Sequence, residues 1–296
     1  MAFFQILLDK NGLRTVDCMR IKSKNSVPFF ILFLIHTFLI CLAFYKSKNK
    51  KNTFIFLGSI MGFAYLLEFF VLNLFKGYKY KPKVLKNNSL DNVFGAFLSQ
   101  SIFVPFTAVY LTISKAGWGV KILGGLYFAL AELLFLRLRV YKHNWWKTGY
   151  TLILIPIYFI VSDWWYYWIS KKNVIVRKIS LFLLIMVSET NLFLLLAIFR
   201  KIRFGCGKYH GWTEHFIITP IYSISYSIFT YLNLNKQNNL WTKLTVLLFD
   251  ACLYQIFVKA KILKTKVKLT TYILIKSIMV MVYGIYRKWV FDEGER

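Results

Sequence analysis

The stretch ISLFLLIMVSETNLFLLLAIF, residues 179–199, decides the fold class of this chain. It is apolar over its whole length except for a short polar group near its centre. A helix of about 20 residues crosses a hydrocarbon core roughly 30 Å thick, because each residue rises about 1.5 Å. Lipid offers no partner to open backbone N–H and C=O groups, so a crossing segment of this kind must be helical. The stretch therefore predicts a transmembrane helix.

Similar runs recur along the chain and predict an all-α, polytopic transmembrane helical bundle with eight or nine membrane-spanning helices. Of the 296 residues, 57% are hydrophobic, whereas a soluble domain has about 45–50%. The runs are continuous and do not alternate, which excludes a transmembrane β-barrel. The nine candidate spans are residues 27–45, 53–75, 92–114, 120–138, 150–168, 179–199, 216–234, 240–258 and 269–286, and the last two are the weakest.

The sequence predicts one transmembrane domain, residues 27–286, with a short polar segment at each end. Residues 1–26 are expected to form a cytoplasmic or interfacial N-terminal segment, and residues 287–296 a short polar C-terminal tail. A cleavable signal is not expected, because a polar and basic lead precedes the first apolar run and no small-residue cleavage site follows it.

The formal net charge of +27 comes from short loops between the apolar runs. Of the 39 Lys and Arg residues, Lys276 is the only one well inside a run. Short basic loops orient a polytopic protein and contact anionic headgroups, so nucleic acid is not an expected partner. The loops on the same side of the membrane as the N-terminus contain more basic residues than the loops on the other side. This bias predicts a cytoplasmic N-terminus in a cell membrane.

Five of the 12 acidic residues lie within predicted spans. An ionised carboxylate in hydrocarbon costs at least about 2–3 kcal/mol, so such groups face the protein interior, pair with a cation or stay protonated. They could form a proton or cation relay or a polar substrate site, or make structural contacts between helices. Asp163 fits the structural alternative. The candidate intramembrane polar site comprises Glu68, Glu132, Glu189, Asn191 and Asp250.

Glu189 lies at the centre of its span within the polar run Ser188–Asn191. Consecutive helical residues point about 100° apart, so these four side chains cannot share one direction. Protein or water must therefore surround part of this span.

Two stretches of similar pattern suggest an internal repeat. EFFVLNL at residues 68–74 matches ELLFLRL at residues 132–138, and a basic, aromatic loop follows each. They lie two predicted spans apart, in the second and the fourth, so both would run in the same direction, as in a parallel repeat.

Nothing in the sequence indicates a cofactor, a metal or a catalytic residue. The four cysteines have no C-x-x-C spacing. The donor-rich loop at residues 206–215 fits no standard zinc pattern. No phosphate-binding glycine loop or nucleophile elbow occurs. An enzyme is therefore not favoured, although the question stays open.

Four short stretches resemble a family of uncharacterised multi-spanning membrane proteins of Gram-positive spore-forming bacteria. They are LDNVFGAFLSQ at residues 90–100, VP at 104–105, ELLFLR at 132–137 and HNWWKT at 143–148. The resemblance implies a bacterial plasma-membrane protein and brings no activity with it. It marks as candidate motif positions Asp91, Pro105, His143, Trp145 and Trp146.

Three functional hypotheses follow from the sequence. The first is transport or permeation of a small polar or cationic solute, with or without linkage to protons. The second is a non-catalytic scaffold that assembles with a membrane-protein partner or with copies of itself. The third is an intramembrane enzyme acting on lipid-borne substrates. A water-filled cavity that reaches a deep carboxylate would favour transport.

Overall fold

This computed structural model describes residues 25–206 and 210–291. Most of the predicted N-terminal segment and the end of the predicted tail therefore lie outside the described residues. The elements are α1 Ser26–Lys46, α2 Lys50–Glu68 with a π-helical turn Phe69–Leu74, β1 Tyr78–Tyr80, α3 Asn88–Phe97 with a π-helical turn Leu98–Phe103, α4 Val104–Ile113, α5 Trp118–Arg137, β2 Tyr141–His143, α6 Thr148–Ser170, α7 Val174–Ile198, β3 Ile202–Phe204, α8 Trp212–Lys236, α9 Leu240–Lys259, β4 Leu263–Thr265 and α10 Leu269–Phe291.

The prediction of a polytopic helical membrane protein is confirmed. Within the described residues, 8 helices are long and apolar enough to cross a bilayer. Their outer faces carry large apolar side chains, such as Ile153, which is 61% exposed, and Leu248, which is 64% exposed. Such side chains are expected to lie against acyl chains, because exposure to water would be unfavourable. The protein is therefore embedded in a membrane and contacts lipid.

Helix α8 is not one of those eight, although the sequence predicts a span at residues 216–234. Its inward face carries buried hydroxyl groups, which lower its apolar character: Thr219, Tyr222, Ser223, Tyr226, Ser227 and Thr230. Helix α8 begins just after β3 and α9 ends just before β4, and these two strands pair. Helix α8 therefore runs antiparallel to α9 over a similar depth. The two spans that the sequence ranked weakest are both among the eight.

The described residues divide into two compact units, where the sequence predicts one transmembrane domain. The N-terminal unit comprises residues 25–180 and the C-terminal unit comprises residues 181–291. The last helix also continues to Phe291, five residues beyond the predicted end of the domain.

In the N-terminal unit, a two-stranded antiparallel sheet connects distant helices. Strand β1 pairs with β2, and Tyr78 lies opposite His143 in their register. Phe29, Tyr78 and Phe135 belong to one buried apolar cluster that packs the helices against this sheet. The strands therefore hold the ends of α2 and α5 together on one side of the unit.

The C-terminal unit repeats the order helix, strand, helix, helix, strand, helix. Strand β3 pairs with β4, and Ile202 lies opposite Thr265. A basic residue with positive φ ends the helix two residues before each of the four strands, at Lys76, Arg139, Arg200 and Lys261. The left-handed conformation at this position stops a helix and satisfies its last carbonyl groups.

The four strands begin at Tyr78, Tyr141, Ile202 and Leu263, so a helix–strand–helix pattern recurs about every 62 residues. Equivalent hydrogen bonds support the repeat, because Lys81 N donates to Val140 O and Gly205 N donates to Ile262 O. The sequence echo at residues 68–74 and 132–138 lies at matching places before β1 and β2. After α1, the described residues therefore form four such repeats, with two strands in each unit.

Candidate functional site

A cavity of about 140 Å³ lies inside the N-terminal unit. Helices α2, α5 and α6, the second π-helical turn and both strands contribute side chains to it. Two carboxylates line it, those of Glu68 and Glu132, and none of its lining residues is Lys, Arg or His. The cavity therefore combines two carboxyl groups with a mostly aromatic and aliphatic wall, which also includes Ser99, Gln100 and Thr151.

The Glu68 side chain has one oxygen bonded and one oxygen free. Tyr78 donates its hydroxyl to Glu68 Oε2 at 2.5 Å, and Gln100 Nε2 donates to the same atom at 3.0 Å. Glu68 Oε1 is buried and has no hydrogen-bond partner among the described residues. Glu68 is only 8% exposed, so this oxygen is a buried acceptor that lacks the hydrogen bond such an atom usually has.

Local structure explains why these groups meet. The π-helical turn Leu98–Phe103 carries Gln100, and such turns insert a residue that re-aims the side chains around it. Strand β1 packs tightly on α3, since a Cβ atom added at Gly95 would lie 2.5 Å from Tyr80 Cβ. Asn92 Oδ1 accepts a hydrogen bond from Tyr80 N at 2.7 Å. These contacts fix the strand that carries Tyr78.

Glu132 is bonded at both oxygens. His143 Nε2 donates to Oε1 at 2.7 Å, and the Thr151 hydroxyl donates to Oε2 at 2.5 Å. Trp146 Nε1 in turn donates to Thr151 Oγ1 at 2.9 Å. Glu132 is therefore held by β2 and α6, and hydrogen bonds within the protein satisfy both of its oxygens.

The tyrosines of the sheet stay protonated. Burial raises the pKa of Tyr141 far above its usual range, and the nearby carboxyl groups of Glu132 and Glu68 raise it further. The pKa of Tyr80 is raised for the same reasons, with burial the largest cause. Neither hydroxyl ionises at ordinary pH, so the negative charge of the cavity comes from its carboxylates.

The rings around the cavity include Tyr127, Phe128 and Tyr158. The face of an aromatic ring attracts a cation, and a carboxylate attracts it more strongly. A cavity of about 150 Å³ in another protein takes up benzene. The cavity therefore suits a cation with about six non-hydrogen atoms, part of whose surface is apolar.

The C-terminal unit contains a buried cluster of charged groups. Lys276 Nζ donates to both Glu189 oxygens at 2.7 Å, and Tyr283 donates its hydroxyl to Glu189 Oε1 at 2.5 Å. Glu189 and Lys276 are each 0% exposed. A charge this deeply buried needs a partner of opposite sign, so these two residues depend on each other.

Asp250 adds a second carboxylate to the same cluster. Its Oδ1 atom lies 3.4 Å from Lys276 Nζ and accepts a hydrogen bond from the Tyr222 hydroxyl. Its Oδ2 atom is buried without a hydrogen-bond partner among the described residues. The cluster therefore holds two carboxylates and one ammonium group.

Aromatic rings also surround Lys276. Its Nζ atom lies 3.9 Å from the centre of the Tyr226 ring and 5.8 Å from that of Phe193. Tyr272 lies at 5.9 Å. The ammonium group therefore has carboxylates and ring faces as neighbours, which are the two kinds of group that line the cavity of the N-terminal unit.

The structure divides the predicted polar site between the two units. Glu68 and Glu132 line the cavity of the N-terminal unit, and Glu189 and Asp250 meet at Lys276 in the C-terminal unit. Asn191 follows Glu189 on α7 and is half-buried.

The predicted motif residues mostly brace loops and strands. Asp91 accepts three backbone hydrogen bonds, from Lys83, Val84 and Leu85, and so shapes the loop between β1 and α3. Trp145 Nε1 donates to Phe75 O at 2.7 Å. Pro105 is the second residue of α4, which follows directly on the π-helical turn Leu98–Phe103. His143 and Trp146 support Glu132, as described above.

Asp163, for which the sequence favours a structural role, pairs with Lys121 and accepts a hydrogen bond from Thr112 at 2.6 Å.

Sequence reasoning missed the partners of the carboxylates. In the N-terminal unit these are Tyr78, Gln100 and Thr151, which look ordinary in the sequence. In the C-terminal unit, Lys276 carried a usable signal, because it is the only basic residue well inside an apolar run. A buried lysine requires a buried acid, and that rule alone would have linked it to Glu189 or Asp250.

Comparison with protein-family models, with curated proteins and with solved structures found no match to this chain.

Proposed function

We propose that this protein binds a small monovalent organic cation in the cavity of its N-terminal unit and carries it across the membrane. The cation has N–H donors, as an alkylammonium or a small guanidinium ion does. One observation carries the proposal: Glu68 lines a cavity that no basic residue lines, and its Oε1 atom is a buried acceptor without a partner in the described residues. A ligand N–H group would satisfy this oxygen, and ligand charge would offset the carboxylates.

The proposal also rests on the balance of charge. A buried carboxylate without a counter-charge costs several kcal/mol. His143 and Thr151 satisfy Glu132 within the protein, whereas Glu68 receives only neutral donors, from Tyr78 and Gln100. A cation near Glu68 is therefore the ligand that the site stabilises most. A neutral solute of the same shape would leave the charge uncompensated.

Methylguanidinium and methylurea make a matched pair of probes. Both are small and planar and carry N–H donors, but only methylguanidinium is charged. Titration calorimetry of the purified protein in lipid nanodiscs is expected to detect binding of methylguanidinium and none of methylurea. Proteoliposomes with an inside-negative potential are expected to accumulate methylguanidinium, which cannot cross lipid as a neutral species because its proton is held so strongly.

Glu68→Gln is expected to weaken this binding at least tenfold, about 1.4 kcal/mol, because it removes the charge and leaves the side-chain shape. Glu214→Gln is the matched control, since Glu214 caps the first turn of α8 and lies outside the cavity. Equal binding by the Glu68 and Glu214 variants would refute the site. Binding without uptake would refute the transport step alone, and would favour a scaffold with a ligand-binding pocket.

We also propose that the N-terminus faces the cytoplasm, on the basis of the basic loops. Lys81 and Lys264 would then both be cytoplasmic, because an even number of predicted spans separates them. Single cysteines at these positions, in a background without other cysteines, are expected to resist an impermeant thiol reagent in whole cells and to react after lysis. Labelling of only one of them in whole cells would contradict the nine-span topology.

A further inference from the structure

The three charged groups at the centre of the C-terminal unit do not balance. Glu189, Asp250 and Lys276 are each 0% exposed. With all three ionised, the cluster would carry one net negative charge in the buried interior of the unit. Isolated charge at membrane depth is unfavourable, so the cluster is more stable with one additional positive charge.

The geometry distinguishes the two carboxylates. Glu189 receives hydrogen bonds from Lys276 at both oxygens and a further bond from Tyr283. Asp250 stands farther from Lys276, at 3.4 Å, and its Oδ2 atom has no partner among the described residues. The ionised form of Glu189 is therefore the better stabilised of the two.

We infer that Asp250 is a proton-binding site of the C-terminal unit, where it carries one exchangeable proton while Glu189 and Lys276 remain an ion pair. On release, the O–H bond of Asp250 breaks, its electron pair stays on the carboxylate and the proton passes to water. The Lys276 ammonium group is then shared between two carboxylates instead of belonging mainly to Glu189.

Every helix packed around Asp250 contributes to this site. The titratable groups that face the cluster are Glu189 from α7, Tyr222 and Tyr226 from α8, and Tyr272, Lys276 and Tyr283 from α10. The tyrosines are neutral donors, so Lys276 supplies the one fixed positive charge in this set. The occupancy of the proton site therefore sets the net charge of the cluster.

Helix α8 also carries buried hydroxyl groups that follow directly in sequence on Tyr222 and Tyr226, the two tyrosines that face this cluster. The hydroxyl groups of Ser223 and Ser227 are buried on its inward face and have no hydrogen-bond partner among the described residues. Mid-helix serines usually bond back to a carbonyl one turn earlier. Unpaired hydroxyl groups in a row can instead bind water, and a proton moves readily along bound water.

Infrared difference spectroscopy tests the site without reference to any solute. The whole protein in lipid is cycled between acidic and alkaline buffer, and the C=O stretching band of a protonated carboxylic acid is followed. We expect a band that disappears on alkalinisation. It should shift when aspartate carries 13C in its side-chain carboxyl, and labelled glutamate should leave it unchanged. These measurements use the unaltered sequence, so misfolding of a variant cannot obscure them.

Two variants then assign the band. Asp250→Asn is expected to remove it, and Asp163→Asn to leave it in place, because Asp163 already has Lys121 as its counter-ion. The inference is overturned if no titrating band shifts with labelled aspartate. A titrating band that shifts only with labelled glutamate would also overturn it, and would show that a glutamate holds the proton. Persistence of the aspartate band in Asp250→Asn overturns it equally.

Discussion

In the C-terminal unit, a residue of the chain itself, Lys276, supplies the positive charge next to two buried carboxyl groups. In the N-terminal unit, no lysine or arginine lines the cavity that holds Glu68 and Glu132. The backbones of the two units follow the same order of helices and strands. Lys276 follows Thr265, the last residue of β4, by 11 positions, and Leu154 follows His143, the last residue of β2, by the same number.

Leu154 lines the cavity of the N-terminal unit and is 39% exposed, whereas Lys276 is fully buried. At the same spacing from the strand, the N-terminal unit therefore has a leucine where the C-terminal unit has a lysine. The comparison teaches that one backbone pattern can either neutralise its buried acids internally or leave them for a ligand. The carboxylates themselves differ by one helical turn, since Leu263 follows Asp250 by 13 residues and Tyr141 follows Glu132 by nine. The order of helices and strands therefore agrees between the two units more closely than the positions of the buried carboxylates do.

The largest effect on stability is expected when Lys276, the buried cation of the C-terminal unit, is replaced. Lys276→Met leaves Glu189 and Asp250 buried without their counter-ion, and we expect it to lower the free energy of unfolding by about 3–5 kcal/mol. Denaturation of the protein in detergent measures this loss. Adding Glu189→Gln to the same chain should recover part of it. Lys264→Met, at an exposed position on β4, is the control and should change little.

The second largest effect is expected when a lysine is introduced at the cavity of the N-terminal unit. Leu154→Lys should place an ammonium group at the cavity and weaken methylguanidinium binding at least tenfold, about 1.4 kcal/mol, because the two cations compete for the same carboxylates. Calorimetry measures the affinity. Leu154→Met keeps an apolar side chain of similar size and should bind normally. If Leu154→Lys binds as well as the unaltered protein, the two positions are not equivalent.

A smaller effect is expected from the tyrosines that donate to each carboxylate. Tyr78→Phe removes a hydrogen bond to Glu68 and should cost about 1.5 kcal/mol of stability. Tyr283→Phe should cost less, about 1 kcal/mol, because Lys276 still bonds both Glu189 oxygens. Thermal unfolding of the two variants side by side gives the order. The reverse order would show that Lys276 does not dominate the stabilisation of Glu189.

The smallest effect is expected at two equivalent helix ends, one in each unit. Arg139 and Lys261 have φ values of 57° and 56°, where glycine avoids the steric cost that other residues meet. Arg139→Gly and Lys261→Gly should each stabilise the protein by about 0.5 kcal/mol, as measured by thermal unfolding. Opposite signs at the two positions would indicate that the repeated helix ends are not energetically equivalent.

Spans, helical state and the need of deep carboxylates for partners all follow from the sequence alone. Each depends on a window of about 20 residues and on the inability of lipid to hydrogen-bond. The run around Glu189 shows this well, since its polar centre already required a protein or water environment, and Glu189 is fully buried. The helical bundle was therefore predictable, and so was the list of candidate carboxylates.

Only the tertiary structure decided which groups meet. Lys276 and Glu189 are 87 residues apart in sequence, and Gln100 and Glu68 are 32 apart. No local pattern encodes such pairings, because they depend on how helices pack and on strands that are three residues long. A search for apolar runs does not detect strands this short. The helices nevertheless end at equivalent places before the strands of each repeat. That packing is what leaves one acid with a lysine and another with a cavity.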